Sequence, residues 1–319
     1  MPELPDITVY VERIAERVRG SRLEGVRLAS PFVLRTVLPP LRAAYGKHVV
    51  GLSRLGKRVV VELEGELFIV IHLMVSGRFR WEVRGKPIPG KIGLAAFDFD
   101  GGTLVLTEAS SKKRASIHLV SGRAALAELD RGGLELEGAT EAQFVSAMTR
   151  TNHTLKRALT DPTILSGVGN AYSDEILHAA KLSPLKQTKQ LSADEWTRLH
   201  AATNAVLARW IEELRAESAE SFPSRVTAFR EGMAVHGRYG KPCTVCGSKV
   251  QRIVYADNET NYCATCQTGG RLLADRSLSR LLRADWPRSL DELEENRPAA
   301  ALPANPARST RAKKSPRAR

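Results

Sequence analysis

The sequence lacks any run of apolar residues close to the roughly 20 that a membrane-spanning helix needs. It also lacks an apolar segment near its start, where Glu3 and Asp6 are acidic, so we predict no signal peptide. Acidic residues are outnumbered by basic ones, 35 against 48, which gives a net charge of +13. Such an excess of positive charge favours a polyanionic partner. Nucleic acid is the first candidate and an anionic membrane the second. Because the basic residues are spread along the chain instead of lying on one amphipathic helix, nucleic acid is the better expectation.

Cysteine is scarce, and its four copies fall in a single pattern. Two residues separate Cys243 from Cys246 and Cys263 from Cys266, and sixteen lie between the pairs, so none remains for a disulfide elsewhere. The spacing is typical of a zinc ribbon, in which four thiolates bind one tetrahedral ion. Two disulfides or an iron site would use the same spacing, but zinc suits a reducing cytosol best. We therefore predict one structural Zn²⁺. The motif does not indicate an activity, because zinc ribbons also serve ribosomal, transcription and tRNA-binding proteins.

The start of the chain is a candidate nucleophile. Removal of Met1 would leave Pro2 with a free secondary amine, and an α-amino pKa of about 8 leaves a reactive fraction of such amines unprotonated at neutral pH. Amines of this kind attack carbonyl carbons and form Schiff bases. Glu3 follows as a carboxylate that can donate and accept protons. Met-Pro-Glu is also an ordinary protein start, so this assignment depends on the rest of the chain.

The hydrophobic pattern changes from one helix to strands and then to several helices. Apolar residues at helical spacing follow Pro5-Asp6, a plausible helix start, and predict an N-terminal helix. Short β-rich runs between turn-forming residues fill about 22–120 and predict a mostly antiparallel sandwich. The predicted strands include Val49 to Leu55, Arg58 to Leu63, Leu67 to Leu73 and Thr103 to Thr107. The predicted helices are 141–150, 153–160, 168–180 and a long one that the capping box Ser192-Ala193-Asp194-Glu195 begins.

The chain is therefore predicted to be a multidomain α+β protein. We divide it into an N-terminal β-sandwich domain over 1–122, a helical domain over 123–234, a zinc finger over 235–275 and a basic tail over 276–319. Residues 297–319 hold seven Lys or Arg and no acid, so they supply +7 of the net charge and are predicted to be disordered.

Five motifs occur in order over residues 1 to about 275. They are Met1 to Pro5, Arg54 to Arg58, Ile71 to Gly77, Gly167 to Glu175 and the four cysteines. Each is modest evidence alone. Together they resemble the formamidopyrimidine-DNA glycosylase and endonuclease VIII family of base-excision repair enzymes. The third would be a strand that ends at the DNA, and the fourth resembles the helix–two-turn–helix core of that family.

The resemblance implies a bifunctional DNA glycosylase and abasic-site lyase. Pro2 would attack C1′ of a damaged nucleoside and displace the base, and the iminium so formed would let the 3′ phosphate leave by β-elimination. Glu3 would assist ring opening and proton transfer. Lys57 would donate a proton and contact a phosphate, although without the resemblance a solvated strand-edge lysine would be preferred. The partner would be damaged DNA, and the protein a monomer in the cytoplasm, held at the nucleoid by DNA.

The same resemblance implies three DNA-contacting side chains. The turn before Asn170 is glycine-rich, so backbone N–H groups at a helix start could approach a phosphate, with Asn170 as a further donor. Lys156 corresponds to a phosphate-contacting lysine and His72 to a histidine that touches the DNA backbone. From the residues alone, the glycines could form only a turn, Lys156 could be solvated, and His72 could lie in the core.

Three departures from the family pattern affect the expected substrate. Asn258 stands where the zinc hairpin normally has a phosphate-clamping arginine, and Arg252 or Arg271 is a candidate replacement. Members of the family often fill the gap left by a flipped nucleotide with a methionine, an arginine and an aromatic residue. Here Met74-Val75 has the inverted order before Ser76-Gly77, and the loop from Glu108 to Ala115 holds no aromatic residue. The covering segment over about 216–242 is short.

Two other classes of protein compete with the enzyme hypothesis. A DNA-binding protein that kept the scaffold and lost efficient chemistry would explain Asn258 and the missing wedge, but not the intact Pro2, Glu3 and Lys57. An RNA-binding zinc-ribbon protein would leave the Pro2-Glu3 start unexplained.

Overall fold

The computed structural model describes residues 1–223, 230–255, 258–273 and 287–295. The first helix, α1, spans Leu4–Val18. It begins one residue earlier than the sequence indicated, because Glu3 is its N-cap and Asp6 accepts a hydrogen bond from the Glu3 backbone N–H at 2.9 Å. Ile7 on this helix is buried in the sandwich core, whereas Leu4 is buried in the helical domain. The first turn of α1 therefore joins the two domains.

The predicted antiparallel sandwich is confirmed as two four-stranded sheets. One has the order β1-β6-β7-β5 and the other β2-β3-β4-β8. All of their strand pairs are antiparallel. The strands are β1 (Leu23–Leu28), β2 (Val49–Leu55), β3 (Arg58–Leu63), β4 (Leu67–His72), β5 (Gly77–Glu82), β6 (Gly93–Phe99), β7 (Gly102–Glu108) and β8 (Ser116–Ser121).

The helical domain follows, and side-chain caps fix the starts of three of its helices. Thr140, Thr154 and Ser192 each accept a backbone N–H from the first turn of the helix that follows, which satisfies donors that the helix itself leaves unpaired. The helices are α2 (Arg123–Ala127), α3 (Glu141–Thr149), α4 (Leu155–Thr160), α5 (Asn170–Ala179) and α6 (Ala193–Glu217). No helix within the described ranges is long and apolar enough to cross a membrane.

The cysteine-bearing module contains a hairpin of β9 (Gln251–Tyr255) and β10 (Asn258–Tyr262), followed by α7 (Ala264–Thr268). A further helix, α8 (Leu290–Glu295), lies in the segment that the sequence assigned to the tail. Leu290 and Leu293 pack against the apolar core of the module, and the Leu272 N–H donates to the Arg288 carbonyl at 2.9 Å. These leucines have apolar surface to bury, so folded structure extends to Glu295. The predicted disorder of 297–319 lies outside the described residues.

Candidate active site

The N-terminus lies at the junction of the sandwich and the helical domain. Met1 lines a cavity of about 220 Å³ together with Lys57, Arg58, His72 and residues of the 166–167 turn. Pro2 and Glu3 are buried immediately behind it. The turn between β2 and β3 carries Lys57, so hairpin geometry brings the lysine to the chain start. Met1 still precedes Pro2 in this structure, so the secondary amine requires its removal.

The Glu3 carboxylate is held by the start of α5. It accepts backbone N–H groups from Gly169 at 2.8 Å, Ala171 at 2.9 Å and Tyr172 at 3.2 Å. A helix N-terminus stabilises negative charge, so these bonds fix the carboxylate in orientation. The sequence predicts that N–H groups of the Gly167–Asn170 turn approach a DNA phosphate. In this structure the Gly169 N–H binds Glu3, and a phosphate contact at the turn stays a prediction.

Two glycines permit this close approach. A Cβ at Gly169 would lie 2.5 Å from Glu3 Cδ and 2.8 Å from Lys57 Nζ. Gly167 has φ +86°, and a Cβ there would meet the Leu4 side chain at 2.9 Å. The Gly167 carbonyl also accepts the Leu4 backbone N–H at 2.9 Å. The Gly-x-Gly turn therefore serves to seat Glu3 and Lys57 beside each other.

Burial changes the acid–base properties of the amines in this site. It lowers the pKa of the Met1 α-amino group; Glu3 opposes this effect, while Arg78 and Lys57 add to it. Burial also lowers the pKa of Lys57, with Lys156 reinforcing the shift and Glu3 opposing it. Both amines thus lose protons more readily than in water, as nucleophiles and general bases require.

Asp6 and Arg78 are additional charged residues that sequence reasoning missed. Burial raises the pKa of Asp6 to about 6, although the Glu3 N–H and Arg230 favour its charged form. Arg230 pairs with Asp6 at 3.2 Å from more than 200 residues away. The Arg78 guanidinium donates to the Gly77 carbonyl at 2.6 Å. No local pattern signals the Asp6–Arg230 pair or the closeness of Arg78 to the Met1 amine, because tertiary contacts bring these groups together.

His72 ends β4, where it is half-buried opposite Arg58 on β3 and Ser116 on β8. Burial lowers its pKa to about 4, and the nearby cations Arg58 and Lys57 add to the shift. The imidazole is therefore neutral at pH 7 and lines the cavity. His72 is therefore partly packed in the sandwich and partly open to the cavity, so features of both alternatives are present. The DNA contact itself stays a prediction.

Lys156 and Asn170 are bonded within the protein. The three N–H bonds of an ammonium are matched by three acceptors around Lys156 Nζ: Asp174 Oδ1 at 2.5 Å, the Asn170 carbonyl at 2.7 Å and Ser173 Oγ at 2.8 Å. The Asn170 side chain donates to the Glu259 carbonyl of the β9–β10 hairpin at 2.9 Å. Both residues connect α4, α5 and the hairpin, and the predicted phosphate contacts would have to compete with these bonds.

Of the two proposed replacements for the hairpin arginine, Arg252 has side-chain partners within the protein, whereas Arg271 is exposed and pairs through its backbone. Arg252 stacks on Tyr239 with its guanidinium carbon 4.3 Å from the ring centroid, and it pairs with Glu259 at 3.3 Å. Arg271 forms an isolated β-bridge with Ser289. The hairpin position itself is Asn258, the first residue of β10, which is exposed.

The 108–115 loop, where a wedge residue was expected, is hydrogen-bonded to the buried Glu108 carboxylate. Met74 lies between β4 and β5 with φ +53°, and the Val75 beside it is 55% exposed. The Glu108 carboxylate accepts the backbone N–H groups of Arg114 at 2.8 Å and Ala115 at 3.0 Å. These bonds draw the end of the aromatic-free 108–115 loop back onto the sandwich.

The four cysteines form a metal site. Their sulfur atoms all lie within 4.8 Å of one another, with Cys243 and Cys266 at 3.9 Å and Cys246 and Cys263 at 3.4 Å. Tetrahedral zinc with bonds of about 2.3 Å places sulfur atoms roughly 3.8 Å apart, so the cluster fits one zinc ion. Four thiolates leave no open position, and the zinc is therefore structural. His178 on α5 hydrogen-bonds with the Cys243 sulfur at 3.3 Å, which ties the site to the helical domain.

Comparisons with known proteins cover most of the chain. Three family models match: "Formamidopyrimidine-DNA glycosylase N-terminal domain" over 1–115, "Formamidopyrimidine-DNA glycosylase H2TH domain" over 134–221 and "Zinc finger found in FPG and IleRS" over 240–269. Formamidopyrimidine-DNA glycosylases from Heliobacterium modesticaldum and Thermus thermophilus are 30% and 32% identical to it. The alignments cover 84% and 85% of this chain and 100% of each relative.

Solved structures give the same result. A Lactococcus lactis formamidopyrimidine-DNA glycosylase mutant in complex with Fapy-dG-containing DNA superposes with a TM-score of 0.74 at 26% identity, over 84% of this chain and 100% of that one. A second complex of the L. lactis enzyme, with DNA containing an abasic site, has a TM-score of 0.74 at 25% identity, over 83% and 99% of the two chains. The N-terminal sandwich, the helical domain and the four-thiolate module thus match one family in their order along the chain. This chain belongs to the formamidopyrimidine-DNA glycosylase and endonuclease VIII family.

Proposed function

We propose that this protein is a bifunctional DNA glycosylase and abasic-site lyase that acts through a Schiff base on Pro2. One observation carries the proposal: Met1 and Lys57 line one cavity between two domains, and the Glu3 carboxylate lies buried behind it, close to Lys57. Burial lowers the pKa of the Met1 α-amino group, and removal of Met1 would leave the Pro2 amine, a potential nucleophile, at the same buried chain start. A site built only for binding DNA has no need of a buried amine beside a fixed carboxylate.

The reaction proposed proceeds in two parts. The Pro2 nitrogen forms a bond to C1′ as the bond from C1′ to the base breaks, and the base leaves with a proton. Glu3 takes the proton that the Pro2 nitrogen loses and delivers it to O4′; the C1′–O4′ bond breaks, the sugar opens and the iminium forms. The iminium accepts electrons, so a base can remove a C2′ proton. The electron pair forms the C2′–C3′ double bond, and the C3′–O bond to the phosphate breaks.

The remaining residues support those steps by position and charge. Lys57 lies close enough to Glu3 that one Cβ at Gly169 would touch both. It would donate a proton and balance the charge of a phosphate. Burial lowers the pKa of Lys57, which makes its ammonium a readier proton donor than a lysine in water. His72, neutral at pH 7, would offer a hydrogen bond to the backbone of the bound strand.

Borohydride trapping on an abasic oligonucleotide tests this proposal. The wild-type protein, with Met1 shown to be removed by intact mass, should form a covalent adduct at Pro2 and nick the strand. Acetylation of the amine, or Pro2→Gly combined with Glu3→Gln, should abolish both. A fusion that extends the chain before Pro2 serves as a matched control, because it removes the free amine and keeps every side chain. Nicking that survives these changes would contradict the mechanism.

A DNA-damage-binding protein with little chemistry is the alternative, and the absence of a cation at Asn258 favours it. The same experiment separates the two. Tight binding to abasic DNA with neither adduct nor nick would establish the binding protein, and an adduct at Pro2 would establish the enzyme.

We further propose that abasic sites and already unpaired bases are processed best. Extruding a base costs a few kcal/mol of stacking and pairing, and a wedge residue offsets that cost. The 108–115 loop has no aromatic side chain and is tethered to Glu108. Single-turnover rates should therefore be far higher on an abasic duplex than on 8-oxoguanine opposite cytosine. Equal rates on the two substrates would contradict the idea.

A further inference from the structure

A second, larger groove lies beside the active site. It has a volume of about 750 Å³ and runs between α4, the turn at 185–187 and the β9–β10 hairpin. His153, Lys156 and Arg157 contribute its basic groups, and none of the residues that line it is acidic. A groove of this composition suits an anion. Asn170 and Asn258 add amide groups on the side of α5 and of the hairpin.

The basic residues differ in what they can still bind. Lys156 has committed its three N–H bonds to Asp174, Ser173 and Asn170, and its side chain is 12% exposed. Its charge is compensated by the carboxylate at 2.5 Å. An anion entering the groove would have to break one of these bonds to gain a donor from Lys156.

Arg157, the next residue, has the opposite properties. Its side chain is exposed, and it makes no ion pair with any residue that the structure describes. The nearest acid along the helix, Asp161, accepts the Thr163 N–H at 2.9 Å and the Thr163 hydroxyl at 2.7 Å, and it interacts with Arg157 through charge without forming an ion pair. A guanidinium offers five N–H donors in a planar fork, which binds two oxygens of a phosphate at once.

We infer that Arg157 binds a phosphate of the DNA backbone in this groove and supplies from α4 the positive charge that Asn258 does not supply from the hairpin. The inference rests on the proposed function, because it takes the anion to be a DNA phosphate. Arg157 on α4 and Asn258 on the hairpin line the same groove, so a cation at either position could bind an anion there. The helical domain, and not the zinc hairpin, then provides the cation.

The test compares Arg157→Ala with Arg209→Ala on a duplex that carries a tetrahydrofuran abasic analogue. Arg209 is the matched control, since it is an exposed arginine of the same domain that is already paired with Glu213 at 2.7 Å. Arg157→Ala should weaken binding roughly tenfold or more, the loss expected for a charge-assisted hydrogen bond. It should also reduce the slope of log affinity against log salt by about 0.9, the value for one neutralised phosphate. Arg157→Lys should keep the slope.

A rescue experiment makes the inference specific to the groove. Adding Asn258→Arg to Arg157→Ala should restore both affinity and salt slope, because the new guanidinium faces the same space. If wild type, Arg157→Ala and Arg209→Ala share one slope, the inference is wrong even though the enzyme is active. If the wild-type protein neither binds the duplex nor forms the borohydride adduct on abasic DNA, the proposed function itself has failed.

Discussion

At the scale of single residues, the Glu3 carboxylate has both a structural position and a position in the candidate active site. It caps α5 through three backbone N–H groups, and it lies beside the chain start and Lys57. Replacing it with glutamine puts an NH₂ group against N–H donors, so Glu3→Gln changes stability as well as proton transfer. A probe that keeps the carboxylate and moves it slightly is therefore more informative about catalysis.

Gly169→Ala is such a probe. The added Cβ would lie 2.5 Å from Glu3 Cδ and 2.8 Å from Lys57 Nζ, so the two groups must shift apart. A displacement near 1 Å in a catalytic group costs about a hundredfold in rate. We expect the single-turnover rate on abasic DNA to fall by roughly that factor. Gly25→Ala, where a Cβ meets nothing within 4 Å, is the control and should leave the rate unchanged. Equal rates for both variants would contradict the geometry.

His72 should make the fold sensitive to acid. Its folded-state pKa of about 4 is below the ordinary value of 6.5, so the unfolded chain binds the proton first as pH falls. The contribution of neutral His72 to the free energy of unfolding is fully present above about pH 6.5 and is lost as the pH falls from 6.5 to 4. Between pH 7 and pH 4.5 this contribution amounts to about 2 kcal/mol, allowing for partial exposure.

Urea denaturation at pH 7 and at pH 4.5 measures this effect. The wild-type protein should lose about 2 kcal/mol more than His72→Gln between the two pH values. Comparison with the variant isolates His72 from Asp6, whose raised pKa acts in the opposite direction over pH 6 to 4. If the two proteins have parallel pH profiles, the imidazole titrates normally in the fold.

At the scale of elements, the zinc module is a brace between the helical domain and the groove. His178 on α5 bonds with Cys243, Asn170 bonds with the hairpin, and Gln267 on α7 donates to the Leu182 carbonyl at 2.9 Å. α8 then closes the module by covering its apolar core. The sequence predicted β2, β3 and β4, most of β7, and helices that match α3 to α6, whereas it gave no range for β1, β5, β6 or β8. It missed α8, because this short acidic segment has only two leucines and therefore shows too little apolar periodicity.

Removing one zinc ligand should loosen this brace. Cys263→Ser leaves three thiolates, so we expect less than one zinc per chain and weaker binding to abasic duplex DNA. Elemental analysis and a binding titration measure the two effects. Val245→Ala is the control, because Val245 lies between two ligands but is 67% exposed and contributes no side-chain bond to the site. Full DNA affinity in zinc-free Cys263→Ser protein would show that the module does not support binding.

At the scale of the whole molecule, charge is distributed between the described body and the tail. Residues 297–319 supply +7 of the net +13 and have almost no apolar surface to bury. A cationic arm of this kind neutralises phosphates and releases counterions without contacting the active site.

Truncation after Glu295 should therefore weaken non-specific binding at low salt and flatten its salt dependence. The slope should fall by about 0.9 for each phosphate that the tail neutralises in the full-length protein. The cut is placed after α8, since Leu290 and Leu293 pack on the zinc module. The single-turnover rate on saturated substrate should hardly change. A tail of equal length with its basic residues replaced by glutamine is the control and should behave like the truncation. Identical salt slopes for all three proteins would assign the tail to solubility alone.

The sequence by itself determined the sandwich, the main helices, the zinc ligands and the identity of Pro2, Glu3 and Lys57 as candidates, because each depends on local spacing or a short motif. It could not determine which donors meet which acceptors. Whether the α5 N–H groups bind a phosphate or Glu3, and whether Lys156 is free or surrounded by Asp174 and its neighbours, depends on atoms brought together from distant parts of the chain. Hydrogen bonds and ion pairs act over a few ångströms, so only the tertiary structure decided those pairings.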